Sequence, residues 1–277
     1  MNKPVEFASD AYGILIRNSA KTDIERLAEQ IRMLGYGVLD SGLDAKEVTA
    51  VKAAFERTRK SYLEQFDADL LSKINELHTI RAMLVHGEPV FRQLATNQRV
   101  LALVSSLIRG QFLLNQQNGV MNPPKEKYNQ GKWHRDLPYQ HFVTSTPLAI
   151  NALYCVDDFT TENGATVVLP ATHKTEAFPS SAFIETNALQ ISAKAGSFIV
   201  LDCMIYHKGN MNHTDRMRRA INHVYTIPYI KQQVSLPRLM SEHDLSDQER
   251  QLFGYDCPEC ANITEFLSRY GHGRVQL

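Results

Sequence analysis

Residues 195–210 read AGSFIVLDCMIYHKGN and carry the strongest β-strand pattern of the chain. A glycine turn precedes an apolar run that is rich in β-branched and aromatic residues, and a Gly-Asn turn follows it. Such a run between turns is typical of a buried β-strand. His207 ends the run, so the pattern predicts a strand with a candidate ligand at its mouth.

Other segments of the second half of the chain have the same character. They are rich in β-forming residues and are separated by Pro, Gly and Asn turns. The predicted strand segments are residues 111–122, 148–159, 165–170, 197–207 and 219–230. The ENG sequence at 162–164 predicts a hairpin. Short antiparallel strands of this number predict a mainly β fold, a double-stranded β-helix of the jelly-roll or cupin-like type.

The first part of the chain has apolar residues spaced near 3.6, which predicts helices. The predicted helices are residues 22–34, which begin with a Thr-Asp cap, 44–66, capped by Asp44, and 89–108. We therefore expect one domain over residues 1–277. Its mostly helical part, about 1–108, packs outside a jelly-roll core of about 109–230, and a helical tail follows at about 231–277.

Composition excludes several classes of protein. The chain has 277 residues, of which 43% are hydrophobic, and 30 basic residues balance 30 acidic ones. The sequence contains no basic run with interleaved aromatic residues, so we expect no nucleic-acid partner. No apolar stretch approaches the length that spans a bilayer, and the first residues lack the pattern of a signal peptide. We expect a cytoplasmic protein, monomeric or homodimeric, that binds a small molecule.

The four cysteines fit this expectation. Cys155 and Cys203 lie in apolar segments, where a thiol behaves as a small hydrophobic group. Cys257 and Cys260 form CPEC, which has the spacing of a metal or redox motif. A zinc site would need two further ligands, and the nearest later candidate is His272. We interpret this pair as structural or incidental.

The triplet His134-Arg135-Asp136 carries the main functional hypothesis. Residues i and i+2 of an extended chain point to the same face, so His134 and Asp136 can converge on one metal while Arg135 turns away. His207 follows His134 by 73 residues and supplies a second imidazole. Two imidazoles and one carboxylate are the facial ligand set of non-haem Fe(II) oxygenases.

The segment RRAINH, residues 218–223, begins eleven residues after His207. Strand alternation places Arg218, Ala220 and Asn222 on one face and the other three residues on the opposite face. An arginine on the inner face of a barrel requires an anion, and its planar fork suits a carboxylate. A dicarboxylate co-substrate would supply that anion. Alternatively, both arginines lie on the surface of an edge strand.

The order of motifs resembles that of a known family. WHRD is followed by NGATVVLPATHK, GSFIVLD, HKGN and RRAIN. This order, with its gaps, is similar to that of the phytanoyl-CoA dioxygenase family of Fe(II)/2-oxoglutarate oxygenases. The resemblance extends from about Gly35 to Pro228.

The resemblance implies particular roles. It implies His134, Asp136 and His207 as iron ligands and catalytic residues, and Arg218 as the partner of the 2-oxoglutarate C5 carboxylate. It also implies Fe(II), 2-oxoglutarate and O2 as cofactor and co-substrates, with succinate and CO2 as products. Because halogenating relatives lack the carboxylate, Asp136 favours hydroxylation or a related oxidation of a small metabolite. The alternative is a cupin-like protein that binds or senses metal and 2-oxoglutarate without turnover.

The chain departs from the family's pattern in two places. PATHK stands where PGSHK is usual, and Gly209 stands where a serine often assists the 2-oxoglutarate carboxylate. Asn222 or Thr166 could replace that serine. Five polar residues are candidates for substrate binding, although they could equally bind one another or water. They are Gln116 and Asn118, which alternate inward if Leu114 does, and Tyr139, Gln140 and His141.

Overall fold

A computed structural model of the chain describes residues 12–14, 18–241, 243–257 and 259–271. Its strands form two antiparallel sheets, one with the order β1-β7-β4-β9-β3-β2 and one with the order β6-β5-β8. The strands are β1 (Tyr36–Asp40), β2 (Thr79–Ile80), β3 (Leu113–Asn122), β4 (Ala149–Cys155), β5 (Thr166–Val168), β6 (Leu189–Gln190), β7 (Ser197–Asp202), β8 (His207–Gly209) and β9 (Arg218–Thr226). The predicted jelly-roll core with flanking helices is confirmed.

The N-terminal helices cover the outer face of the large sheet. Phe55 and Phe91, both fully buried, belong to one apolar cluster with Ile221 and Tyr225 of β9. The helices are α1 (Asp23–Leu34), α2 (Ala45–Gln65), α3 (Ala68–Lys73), α4 (Pro89–Ala95), α5 (Gln98–Leu107), α6 (Ser181–Asn187), α7 (Leu236–Leu239), α8 (Asp247–Phe253) and α9 (Ile263–Gly271). Throughout the described ranges, no helix combines the length and the apolar character needed to cross a membrane.

Capping residues begin and end the helices, mostly at the positions that the sequence predicted. Thr22 and Asp44 each form a capping box at the start of α1 and α2. Gly35 ends α1 with φ 86°, a left-handed conformation that glycine adopts without strain. The predicted helix at 89–108 is divided in two, because the Asn97 side chain accepts hydrogen bonds from the backbone N–H groups of Arg99 and Val100 and begins α5.

Residues 197–207 do not form one strand, which corrects the sequence prediction. The strand β7 ends at Asp202, whose side chain accepts a hydrogen bond from Met204 N at 2.9 Å. The Asp202 carbonyl also accepts from Ile205 N at 2.9 Å, so the chain turns here. It then enters the other sheet as β8, and His207 is the first residue of that strand.

The ENG segment forms a turn but not the predicted hairpin. The strands on either side of it, β4 and β5, belong to different sheets. Asn163 accepts a hydrogen bond from Thr160 N, and Gly164 has φ 75°. An added Cβ at Gly164 would lie 2.3 Å from the carbonyl oxygen of Asn210. The turn therefore passes the chain from one sheet to the other beside the loop that follows β8.

The cysteines are free thiols, with Cys155 and Cys203 buried as predicted. Cys257 is exposed and Cys260 is half-buried. His272, the further zinc ligand considered for this pair, lies outside the described residues.

Acid is expected to destabilise the fold through His223, which is fully buried on β9. Its Nδ1 donates to Ala152 O, and its Nε2 lies 2.8 Å from the Gln117 amide. Burial lowers the pKa of His223 from 6.5 to about 4. Between these pH values His223 is protonated in the unfolded chain but neutral in the folded protein. The contribution of the neutral, buried His223 to the free energy of unfolding is therefore complete above about pH 6.5 and is lost as the pH falls to about 4. The full loss is roughly 3 kcal/mol.

Urea unfolding of the wild type and of His223→Gln at pH 7 and pH 4 measures this difference, since other titrating groups are common to both proteins. The wild type should lose the larger free energy of unfolding. Equal losses, or an imidazole of His223 that titrates near pH 6.5 by NMR, would contradict the prediction.

Candidate active site

The structure brings His134, Asp136 and His207 together at one end of the small sheet. His134 and His207 form an isolated antiparallel bridge. The backbone nitrogen of each residue lies 3.0 Å from the carbonyl oxygen of the other. Asp136 N donates to Cys203 O at 3.0 Å. This hydrogen bond holds the last residue of the triplet against the turn after β7. The ligand atoms of the three side chains lie within 4.8 Å of one another. In the described ranges this is the one such group of three metal-ligating side chains.

Hydrogen bonds fix the orientation of each candidate ligand. His134 Nδ1 lies 2.7 Å from Lys132 O, and His207 Nδ1 lies 3.1 Å from Ile205 O. Because a carbonyl can only accept, both Nδ1 atoms carry a proton, and each Nε2 atom presents its lone pair when its imidazole is neutral. These Nε2 atoms lie 3.9 and 3.5 Å from Asp136 Oδ1. Asn151 Nδ2 donates to the other carboxylate oxygen at 2.9 Å, as outer partners of metal ligands do.

The charges of the three side chains suit a divalent cation. Burial alone would raise the pKa of Asp136, but His207, His134 and the Asn151 amide outweigh it and lower the pKa to about 2. Burial and the neighbouring His207 lower the pKa of His134. Burial would also lower the pKa of His207, yet the Asp136 carboxylate raises it. An ionised carboxylate beside two imidazoles with free Nε2 lone pairs is a donor set that fits Fe(II).

Arg218 lies in the same cavity and is 3% exposed. Its Nη2 donates to the Tyr128 hydroxyl at 3.2 Å, and its guanidinium lies 4.0 Å from the centre of the Phe159 ring. Its Nε has no hydrogen-bond partner. Within the described ranges, no carboxylate forms an ion pair with this buried cation. A buried guanidinium without a counter-ion is costly and has the chemistry of an anion site.

The neighbouring Arg219 has the opposite environment. It forms hydrogen-bonded ion pairs with Asp157 and Glu56 on the outer side of the sheet. The two residues thus point to opposite faces, as strand alternation predicted. Since β9 is an inner strand of the large sheet, the alternative that both arginines lie on an edge strand is wrong.

Both residues proposed as substitutes for the missing serine reach the cavity. Thr166 pairs with Gly209 across the small sheet. Asn222 lies on the inner face of β9, and its side-chain oxygen accepts from Asn118 N at 2.9 Å. The residues that line the cavity are Val120, Tyr128, Gln130, His134, Asp136, Asn151, Leu153, Thr166, Leu201, His207, Lys208, Gly209, Arg218, Ala220 and Asn222.

None of the five residues predicted to bind substrate lines this cavity. Gln116 and Asn118 pair with Val224 and Asn222, so they share the inner face of the sheet. The Asn118 amide bonds instead to Ala82 N and Gln233. Leu114 packs against the helices, because a bulge between it and Gln116 reverses the alternation.

The three candidates after the triplet lie in a loop. Tyr139 is 64% exposed and stacks on Phe142, and His141 meets the Tyr139 ring edge-on. The Gln140 amide donates to Arg135 O. Their role in substrate binding stays a prediction.

Sequence reasoning missed four polar residues of the cavity, Tyr128, Gln130, Asn151 and Lys208. Asn151 could have been found, because it stands in an otherwise apolar strand segment where a polar side chain needs a partner. Tyr128 and Gln130 precede the triplet in the turn-rich segment YNQGKW, whose path the sequence alone does not predict.

Two antiparallel sheets with a His-Asp-His group and a buried arginine between them define a class of protein. This is the jelly-roll class with a candidate mononuclear metal site of the facial-triad type. Residues 31–220 match the family model of phytanoyl-CoA dioxygenase (PhyH), and the chain belongs to this family.

The chain is also similar to individual proteins, one of which is described as a dioxygenase. The uncharacterized protein Rv1501 of Mycobacterium tuberculosis is 25% identical over 261 residues, which cover 91% of this chain and 94% of that protein. The dioxygenase af480 of Aspergillus fumigatus is 28% identical over 58% of this chain and 54% of its own length.

Two solved structures show the same fold. EctD from S. alaskensis, with 2-oxoglutarate and 5-hydroxyectoine, matches with a TM-score of 0.62 and 23% identity over 81% of this chain and 80% of its own. The non-heme alpha ketoglutarate dependent epimerase SnoN from nogalamycin biosynthesis matches with a TM-score of 0.57 and 23% identity, over 81% of this chain and 89% of its own.

Proposed function

We propose that this protein is an Fe(II)- and 2-oxoglutarate-dependent dioxygenase that oxidises a small metabolite. The observation that carries the proposal is Arg218, a buried cation without a carboxylate partner, in the same cavity as the His-Asp-His group. A metal site alone would fit many proteins. A metal site beside an anion site fits a co-substrate with a carboxylate at one end and a chelating group at the other.

The chain's own residues have distinct tasks in this function. His134, Asp136 and His207 would hold the metal, and Asn151 keeps the Asp136 carboxylate oriented. The Arg218 guanidinium would bind the far carboxylate of 2-oxoglutarate in charge-assisted hydrogen bonds. When bound, the iron and 2-oxoglutarate supply the activation of O2, with 2-oxoglutarate converted to succinate and CO2. The small exposed fractions of His207 and Arg218 would limit the access of bulk water to this chemistry.

We propose hydroxylation, or a related oxidation, as the outcome. The full set of three ligands favours it over halogenation, since Asp136 occupies the position that halogenating relatives leave free. EctD is described with 5-hydroxyectoine and SnoN as an epimerase, so the fold alone does not determine the outcome. Gln130 and Lys208 bring further polar groups to the cavity and would contact the metabolite.

Anaerobic addition of Fe(II) and 2-oxoglutarate to the apoprotein is expected to produce a weak visible charge-transfer band, because a 2-oxoacid would chelate an iron with open positions. Fe(II) alone and Zn(II) with 2-oxoglutarate are the controls and should give no band. Iron-loaded, folded protein without a band would refute the proposal.

Admission of O2 then separates enzyme from binding protein. An oxygenase should release succinate, slowly without substrate and faster when a screened metabolite is accepted. A band without any succinate across a broad screen would favour the binding or sensing alternative.

A further inference from the structure

Gly209 marks a place where a side chain is excluded by another residue. An ideal Cβ on Gly209 would lie 1.6 Å from the Tyr128 hydroxyl oxygen and 2.7 Å from Cζ of the same ring. The backbone of Gly209 does not have positive φ, so other residues could adopt its conformation. The glycine is therefore needed for space, and the Tyr128 hydroxyl occupies that space.

The Tyr128 hydroxyl is placed as a hydrogen-bond donor into the cavity. Tyr128 is buried and lines the cavity with Arg218 and the three candidate metal ligands. Its oxygen accepts from Arg218 Nη2 at 3.2 Å. Within the described part of the chain, no hydrogen bond uses its own proton. Burial raises the pKa of Tyr128, so the phenol keeps this proton at neutral pH.

The arrangement leaves two kinds of donor side by side. Arg218 Nε has no partner, and the phenol proton has no acceptor in the described ranges. The hydrogen bond from the guanidinium polarises the phenol and makes it a stronger donor. A carboxylate accepts several hydrogen bonds at once, whereas a neutral ligand would leave the buried cation uncompensated.

We propose that Tyr128 and Arg218 together bind the C5 carboxylate of 2-oxoglutarate, with the Tyr128 hydroxyl standing in for a side chain at position 209. This inference rests on the proposed function and adds a co-substrate-binding residue to it. It also gives the departure at Gly209 a physical reason, because the tyrosine and a residue with a Cβ cannot occupy the same space. Of the earlier candidates, Asn222 already accepts from Asn118 N, and Thr166 lies across the sheet from Gly209.

Tyr128→Phe tests the hydroxyl while keeping the ring. The readout is the affinity for 2-oxoglutarate of anaerobic, Fe(II)-loaded protein, from titration of the charge-transfer band and from calorimetry. We expect the Kd to rise about 10- to 100-fold, the range for a charge-assisted hydrogen bond. Affinity for Fe(II) should not change, because Tyr128 forms no hydrogen bond with the three candidate ligands. Thr166→Val, which removes the neighbouring hydroxyl, is the matched control and should have the smaller effect.

The outcomes separate this inference from the proposed function. If the wild type shows neither a band nor heat of binding, the proposed function itself fails. If the wild type binds 2-oxoglutarate and Tyr128→Phe binds it equally well, only the role of Tyr128 is refuted. A larger effect of Thr166→Val than of Tyr128→Phe would also overturn it.

An exchange of the two positions provides a second test. Gly209→Ser alone should weaken 2-oxoglutarate binding, because its Cβ collides with the Tyr128 hydroxyl. In the background of Tyr128→Ala, which opens the space, the same Gly209→Ser change should tighten binding. This reversal of sign is the non-additivity expected of residues that share one place. Equal effects of the serine in both backgrounds would contradict the proposal, and unchanged Fe(II) affinity would show that each variant is folded.

Discussion

Alanine at His134, Asp136 or His207 is expected to lower iron-dependent succinate formation by more than about 100-fold. Loss of a group that only supports a metal ligand lowers metal affinity or activity by up to about 100-fold. The effect should be larger here, because these three residues would be the ligands themselves. The fold should remain, because the three side chains lie between the sheets and outside the large apolar cluster under the helices. Removing one of them leaves that cluster intact.

Asn151→Ala is the graded control for these variants. Asn151 acts through its hydrogen bond to Asp136, so its loss should cost about 10- to 100-fold in metal affinity or turnover. Succinate release, bound iron per chain and far-UV circular dichroism distinguish the cases. Unfolding of all three ligand variants would mean that the metal is structural, and an effect of Asn151→Ala as large as theirs would contradict the assignment of the ligands.

Replacement of Arg218 by methionine is expected to raise the Kd for 2-oxoglutarate by about 10- to 150-fold. A hydrogen bond between charged groups contributes roughly 1.5 to 3 kcal/mol, and here it would form at a buried guanidinium. Methionine keeps much of the arginine's length, so the variant removes the charge with little change in volume. The Fe(II) affinity should stay near that of the wild type, since the candidate metal ligands remain.

The adjacent Arg219 offers a matched control for Arg218. Arg219→Met breaks the ion pairs with Asp157 and Glu56 and should reduce stability without changing the affinity for 2-oxoglutarate. Thermal unfolding adds an independent readout. 2-Oxoglutarate should raise the Tm of Fe(II)-loaded wild type and of Arg219→Met, but much less that of Arg218→Met. The reverse pattern would show that Arg219, and not Arg218, binds the anion.

Local features of the fold were predictable because they depend on neighbours in sequence. Thr22, Asp44 and Gly35 mark helix ends through bonds within one turn, and all three do so here. The predictions that failed depended on strand partners. Nothing local to Asp202 distinguishes a continuing strand from one that turns into the second sheet, and the bulge after Leu114 is visible only against the paired strand β9.

For the candidate site, the chemistry of the donor side chains could be predicted from the sequence. It contained the His-X-Asp triplet with period-2 alternation, and the same alternation separated Arg218 from Arg219. Which of these groups lie together depends on how the sheets and loops pack. The crossing between sheets at residues 203–206 sets His207 beside His134, and the path of the loop before the triplet sets the Tyr128 hydroxyl in the space that Gly209 leaves open. The reason is physical: side-chain type and strand period act over a few residues, whereas contacts between segments many tens of residues apart exist only after the sheets have paired and packed.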